Sequence, residues 1–215
     1  MSTARIAFSI ARRDVSLELS GREASITVLP FVAALMMLAG LGLGGQGPVL
    51  SAAAPGLVWL VVLVSAIPLA RGVAAAERAD GCWDLLRALA SPTALLAGKL
   101  AALWLWLLIA WAVASMLAVA LLGAAWRPEA AVAGVLGTFG VAVTTVVLGV
   151  LLPHGARRPG LIAVLLVPGA VPVLIAGTHL AAPATSGLPW ALLLASYDAI
   201  SLITAYAVFP ALLEE

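Results

Sequence analysis

Glu77, Asp80, Asp84, Arg87 and Ser91 follow one another at intervals of three or four residues, the repeat that lines side chains along one stripe of a helix. Cys82, Trp83, Leu85, Leu86 and Leu89 cover much of the opposite side. Such a stripe makes and breaks no bonds; it is the profile of a short amphipathic helix that rests on a membrane or inserts into a protein partner. A helix lying on an anionic membrane surface favours Lys and Arg over Asp and Glu, so the acidic stripe favours docking to a partner. Ser91-Pro92 then reads as an N-cap followed by Pro at the first helical position, which opens the next helix.

Other reactive groups are sparse. Asp198 falls near the middle of the last apolar run, where an acid is costly unless it is protonated, paired or hydrated. Tyr197, Ser201 and Thr204 could give it polar company on its own helix, either in a structural role or in gating and substrate contact. The histidines are His154 and His179, and the topology below puts them on opposite sides of a membrane, so they share no metal site. His179 could ligate the iron of a haem-like ligand; the plainer reading is a loop histidine at headgroup level. Trp59 is a further residue that could touch a ligand. Trp104 and Trp111 share a helix face at i, i+7, for packing or for stacking against a planar ligand, while Trp126 and Trp190 fall at a predicted membrane boundary.

Catalytic constellations are missing. There is no GxxxxGK[ST] loop to cradle ATP: Gly98-Lys99 lacks the upstream glycine and is followed by Leu100. Gly42-x-Gly44-Gly45-x-Gly47 matches GxGxxG by letter, but Pro48 and the absence of a βαβ context deny it a nucleotide role. A single cysteine, Cys82, excludes an intrachain disulfide and a CxxC site.

These residues must be positioned by apolar helices. Of 215 residues, 64% are hydrophobic and 10% charged, and mean hydropathy is +1.16, too little polar surface for a chain that folds in water. A net charge of +1 gives no support to nucleic-acid binding. Six stretches suit a bilayer core of ~30 Å, at roughly 26–43, 52–70, 100–122, 130–152, 161–182 and 188–210. An all-α polytopic membrane domain is expected, one permease domain over 1–215, with a cytoplasmic loop at 71–99. Of the eleven Lys and Arg residues, ten fall on one side of these spans and Arg127 alone on the other, which places both termini in the cytoplasm. Met1 to Ser25 does not read as a cleaved signal. Ala4, Phe8, Ala11, Val15 and Leu19 line one face of this arm and Arg5, Ser9, Arg12, Arg13, Ser16 and Ser20 another, so it is expected to lie as an elbow helix in the inner headgroup layer. Pro168 and Pro172, with Gly169 and Gly177, interrupt the fifth stretch and predict a kink.

The order of these blocks resembles a known family. Ala54-Pro55-Gly56-Leu57-Val58-Trp59 opens the second span; Asp80-Gly81 precedes Trp83-Asp84-Leu85-Leu86 in the loop; Ser91-Pro92 and Lys99 lead into the third span. Gly155-Ala156-Arg157-Arg158-Pro159-Gly160 and the proline-bearing run from Leu165 to Leu174 follow. From about residue 20 to the C-terminus the chain closely resembles the haem exporter protein B (CcmB) family, membrane subunits of an ABC-type complex in bacterial cytochrome c maturation. Bland Gly72 to Ala76, Asp198 and the absence of a basic C-terminal residue depart from the family pattern.

The resemblance implies an ABC-2-like six-span permease in the bacterial inner membrane, non-catalytic itself, with ATP and Mg bound by a separate ATPase subunit. It also implies a second copy of the chain, a haem-handling membrane protein, a small membrane anchor and a periplasmic haem chaperone whose loaded form is released at the expense of ATP. The segment carrying Glu77, Asp80, Gly81, Trp83, Asp84, Leu86 and Arg87 would be the coupling helix gripped by the ATPase. Rival expectations are a permease of the same class exporting a polysaccharide or drug, and a non-transporting scaffold that recruits an ATPase. A self-sufficient secondary carrier ranks last, for want of buried charge pairs.

Overall fold

The computed structural model describes residues 3–21, 23–42, 44, 47–73, 81, 90–151, 160–182 and 186–214, and only the backbone of 17–21, 23–29, 71 and 214. The described residues form seven helices: α1 (Thr3–Gly21), α2 (Glu23–Gly42), α3 (Gly47–Gly72), α4 (Pro92–Leu122), α5 (Pro128–Leu151), α6 (Leu161–Ala181) and α7 (Gly187–Glu214). Five of them, α3 to α7, are long and apolar enough to cross a membrane. Pro30–Gly42 of α2 adds a shorter apolar stretch that includes half-buried and exposed faces. The chain is a multi-pass membrane protein.

Local chemistry sets several of these bounds. Ser91 caps α4: its Oγ accepts from the Ala94 N–H at 3.3 Å, and Pro92 occupies the first turn, where a missing N–H costs nothing. Gly123, at φ 65°, closes the same helix in the left-handed conformation that glycine adopts freely, and the Ala124 N–H returns to the Ala118 carbonyl at 3.2 Å. α4 therefore starts eight residues before the span expected from hydropathy, and the connection from α3 runs from Val73 to Ser91 rather than over 71–99. Lys99 belongs to the helix.

α5 sits at the centre, touching α3, α4, α6 and α7. In its most apolar stretch 56% of residues are buried, against 22% in α7, so α7 turns most of its surface to lipid or to another protein. Glycines let the neighbours come close. Gly134 lies under the Trp111 ring of α4, and Gly137 of α5 and Gly177 of α6 flank the Trp59 ring of α3; a Cβ on any of them would overlap the indole. Without interhelix hydrophobic force in lipid, such small-residue contacts are what hold membrane helices together.

α1 packs on α4 through residues outside its apolar stripe. Ile10 is buried, Ile6, Ala7 and Asp14 are half-buried, and Phe8 is 71% exposed. The reason lies in α4: a Cβ at Gly98 would stand 2.7 Å from Ile10 Cβ and 2.9 Å from the Ala7 carbonyl oxygen, so the bare glycine accepts this strip of α1.

Candidate functional site

Of the docking stripe, Glu77, Asp80, Trp83, Asp84, Leu86 and Arg87 lie outside the described residues. Gly81 is exposed with φ 68°, a left-handed turn that would strain any residue carrying a Cβ. The start of the segment, at Val73, is held by a buried junction. Lys99, 3% exposed, donates through Nζ to the Val73 carbonyl and lies 3.4 Å from Asp14 Oδ2. This lysine thus joins α1 and α4 to the residue where α3 gives way to the docking segment. Placing Lys99 in the loop missed this; Gly98, the close-contact residue beside it, was the available signal.

The second buried ionisable group is Asp198, 6% exposed on α7. Its Oδ1 and the Tyr197 ring fill the space that a Cβ on Gly140 of α5 would take. Neither carboxyl oxygen has a hydrogen-bond partner among the described residues. Of the expected polar company, Tyr197 and Thr204 are engaged elsewhere. Tyr197 Oη donates to the Gly169 carbonyl at 2.7 Å and lies 3.0 Å from Thr144 Oγ1, while Thr204 donates to the Ile200 carbonyl of its own helix at 2.8 Å. Gly169 sits between Pro168 and Pro172, on the turn of α6 where prolines disturb the helical ladder.

The remaining candidates gather at the end of the bundle predicted to face outward. His179 stacks on Trp190 at 4.4 Å with the planes 10° apart, so one ring face is covered by indole. Arg127 donates to the Ala182 carbonyl at 2.8 Å and lies 3.4 Å from Glu129, tying the α4–α5 turn to the end of α6. Trp111 and Trp126 meet at 6.4 Å. Trp104 turns to α5 as well, donating to the Val135 carbonyl and Thr138 Oγ1, both at 3.2 Å. Pro55, Trp59, Trp111, Ser115 and Trp126 line a cavity of about 50 Å³. That volume holds water, whereas sites for drug-sized ligands run to ~300–1,000 Å³. Trp59 lines this cavity, but at 2% exposure and against Gly137 and Gly177 its ring is a packing element. His179, Trp59 and Asp198 do not converge on one place: the first two belong to the outer end and its floor, the third to the α5–α7 contact. Among the described residues no three His, Cys, Asp or Glu side chains come together to hold a metal ion.

The junction, the apolar spans and the aromatic end follow the block order on which the resemblance rests. The family model for the CcmB protein matches residues 5–213. Heme exporter protein B of Pseudomonas aeruginosa is 32% identical over 188 residues, which cover 84% of this chain and 84% of that protein. With nearly the whole chain matched, this protein belongs to the CcmB family.

Proposed function

We propose that this chain is the permease subunit of an ATP-driven complex that handles haem during cytochrome c maturation in the bacterial inner membrane. It has six spans, α2 being the first, and both termini are cytoplasmic. A separate ATPase subunit binds ATP and Mg and grips the segment around Trp83; a second copy of the chain, a haem-handling membrane protein, a small anchor and a periplasmic haem chaperone complete the assembly. Closure of the ATPase pushes on the segment, the motion enters the spans, and the loaded chaperone is released outside.

The observation that carries this reading is the match to the CcmB family from residue 5 to residue 213. The Lys99 junction supports the mechanical part. A force applied between Val73 and Ser91 meets α1, α3 and α4 together, because Lys99 bonds to Val73 and Asp14 at once. The test is to replace Trp83 and Leu86 with glutamate and to isolate the tagged chain from detergent. Loss of the ATPase from the preparation, with a fall in holo-cytochrome c, is expected. Undiminished co-purification together with normal cytochrome levels would overturn the docking role.

One observation favours a second reading, a scaffold through which no haem passes. The cavity beside Trp59 is about 50 Å³, far below what a porphyrin occupies, and Gly137 and Gly177 hold the surrounding helices in contact. Haem photocrosslinking to residues of α3, α5 or α6 in the working complex would decide for transport.

A further inference from the structure

Asp198 is the buried acid that the docking mechanism leaves unused. It lies eleven residues into α7, about 16 Å from the start of that helix at 1.5 Å per residue, or halfway through a hydrocarbon core of ~30 Å. Its two oxygens are shut from solvent and have no hydrogen-bond partner among the described residues. The nearest polar groups have other partners: Tyr197 Oη bonds Gly169 and Thr144, and Thr144 donates to the Gly140 carbonyl at 3.0 Å. No cation among the described residues faces it from the packing helices. Glu129 of α5 lies at the far end beside Arg127, His179 of α6 is stacked on Trp190, and Lys99 of α4 is bound to Val73 and Asp14. Tyr206, two turns farther along α7, is exposed. A naked carboxylate in this position would stand in hydrocarbon without counter-charge, at a cost of several kcal/mol.

We propose that Asp198 is a proton-binding site whose occupancy is linked to the contact between α5 and α7 at Gly140. With the helices in contact, one carboxylate oxygen holds an O–H bond formed with a proton from bulk water. When the helices part and water enters, that bond breaks and the proton returns to water. A metal cation fits the site poorly, since it needs several oxygens and only the two of Asp198 are open. The contact is tight: Asp198 Oδ1 and the Tyr197 ring occupy the space that a Cβ on Gly140 would take, and the neighbouring turn of α6 carries Pro168 and Pro172, which interrupt its hydrogen-bond ladder. Because the closed contact holds the proton, raising the pH favours separation and lowering it favours closure. This is one site, not the relay that a proton-driven carrier would need, and it stands independently of the docking reading.

The test uses the full chain in nanodiscs, with Cys82 replaced by serine and spin labels at the exposed positions Val132 on α5 and Leu192 on α7. In the otherwise unaltered chain the distance distribution should gain a longer component, reversibly, as the pH is raised. Asp198→Asn, whose amide mimics the protonated acid, should keep the short distance at every pH. A distribution indifferent to pH, or an Asp198→Asn chain that moves as the parent does, overturns the proposal. Should the variant fail to fold, infrared spectra of the parent decide. A buried carboxylic-acid carbonyl band that fades as the long component grows supports the site, and its absence in the closed form refutes it.

Discussion

Lys99 and Asp198 are both ionisable side chains buried within long apolar helices, and the structure treats them in opposite ways. The lysine has a carboxylate and a backbone carbonyl within reach and stitches three helices together near the predicted inner face. The aspartate, at mid-depth, has neither donor nor cation among the described residues. A partnered charge at a helix end is architecture. An unpartnered acid in the middle of a membrane is stable only as a neutral group, and a group that must lose its charge to stay put can regain it to move.

Mutations can break this contrast, beginning with the largest effect. Asp14→Ala removes the Asp14 carboxylate from the buried Lys99 ammonium, and should cost about 3 kcal/mol, the lower part of the range for broken buried pairs, because Asp14 is itself 20% exposed. Thermal unfolding in detergent measures it. Equal stability of the single variant and the parent would mean that the pair holds nothing. Gly140→Ala is next: its methyl group intrudes on Asp198 and the Tyr197 ring, for about 1–3 kcal/mol of overpacking, and should populate the long α5–α7 distance already at neutral pH. Tyr197→Phe removes one hydrogen bond to Gly169 and should cost about 1 kcal/mol, seen as faster hydrogen exchange in the proline-bearing turn of α6. Asp198→Asn should change the unfolding temperature least, because the carboxyl it replaces makes no bond that could be lost. A large destabilisation there would place Asp198 beside Lys99 as a structural group.

How much of this was legible depended on whether the signal lay within one helix. The apolar runs, the Ser91-Pro92 start and the Gly123 stop are local, and helices α3 to α7 follow them. Lys99 was assigned to a loop because a lysine ends a hydropathy window; its partners Asp14 and Val73 are far away in sequence. The seat of α1 is likewise non-local: its apolar stripe names no protein partner, and Gly98 on another helix makes the room that Ile10 and Ala7 occupy. Tyr197 and Thr204 were natural company for Asp198 by spacing, but carbonyls of Gly169 and Ile200 claimed them. The docking stripe from Glu77 to Arg87 keeps its standing as a sequence pattern.

Trp59 has a mechanical consequence. With the indole of α3 wedged against Gly137 of α5 and Gly177 of α6, none of these helices can slide or turn on its own without driving a backbone into an aromatic ring. They form a keyed block. Any rearrangement that answers a push from the cytoplasm must therefore divide the molecule along a line that avoids the key, and α7, mostly exposed and meeting the block at Gly140, at the Tyr197–Gly169 bond and at the His179–Trp190 stack, offers such a line.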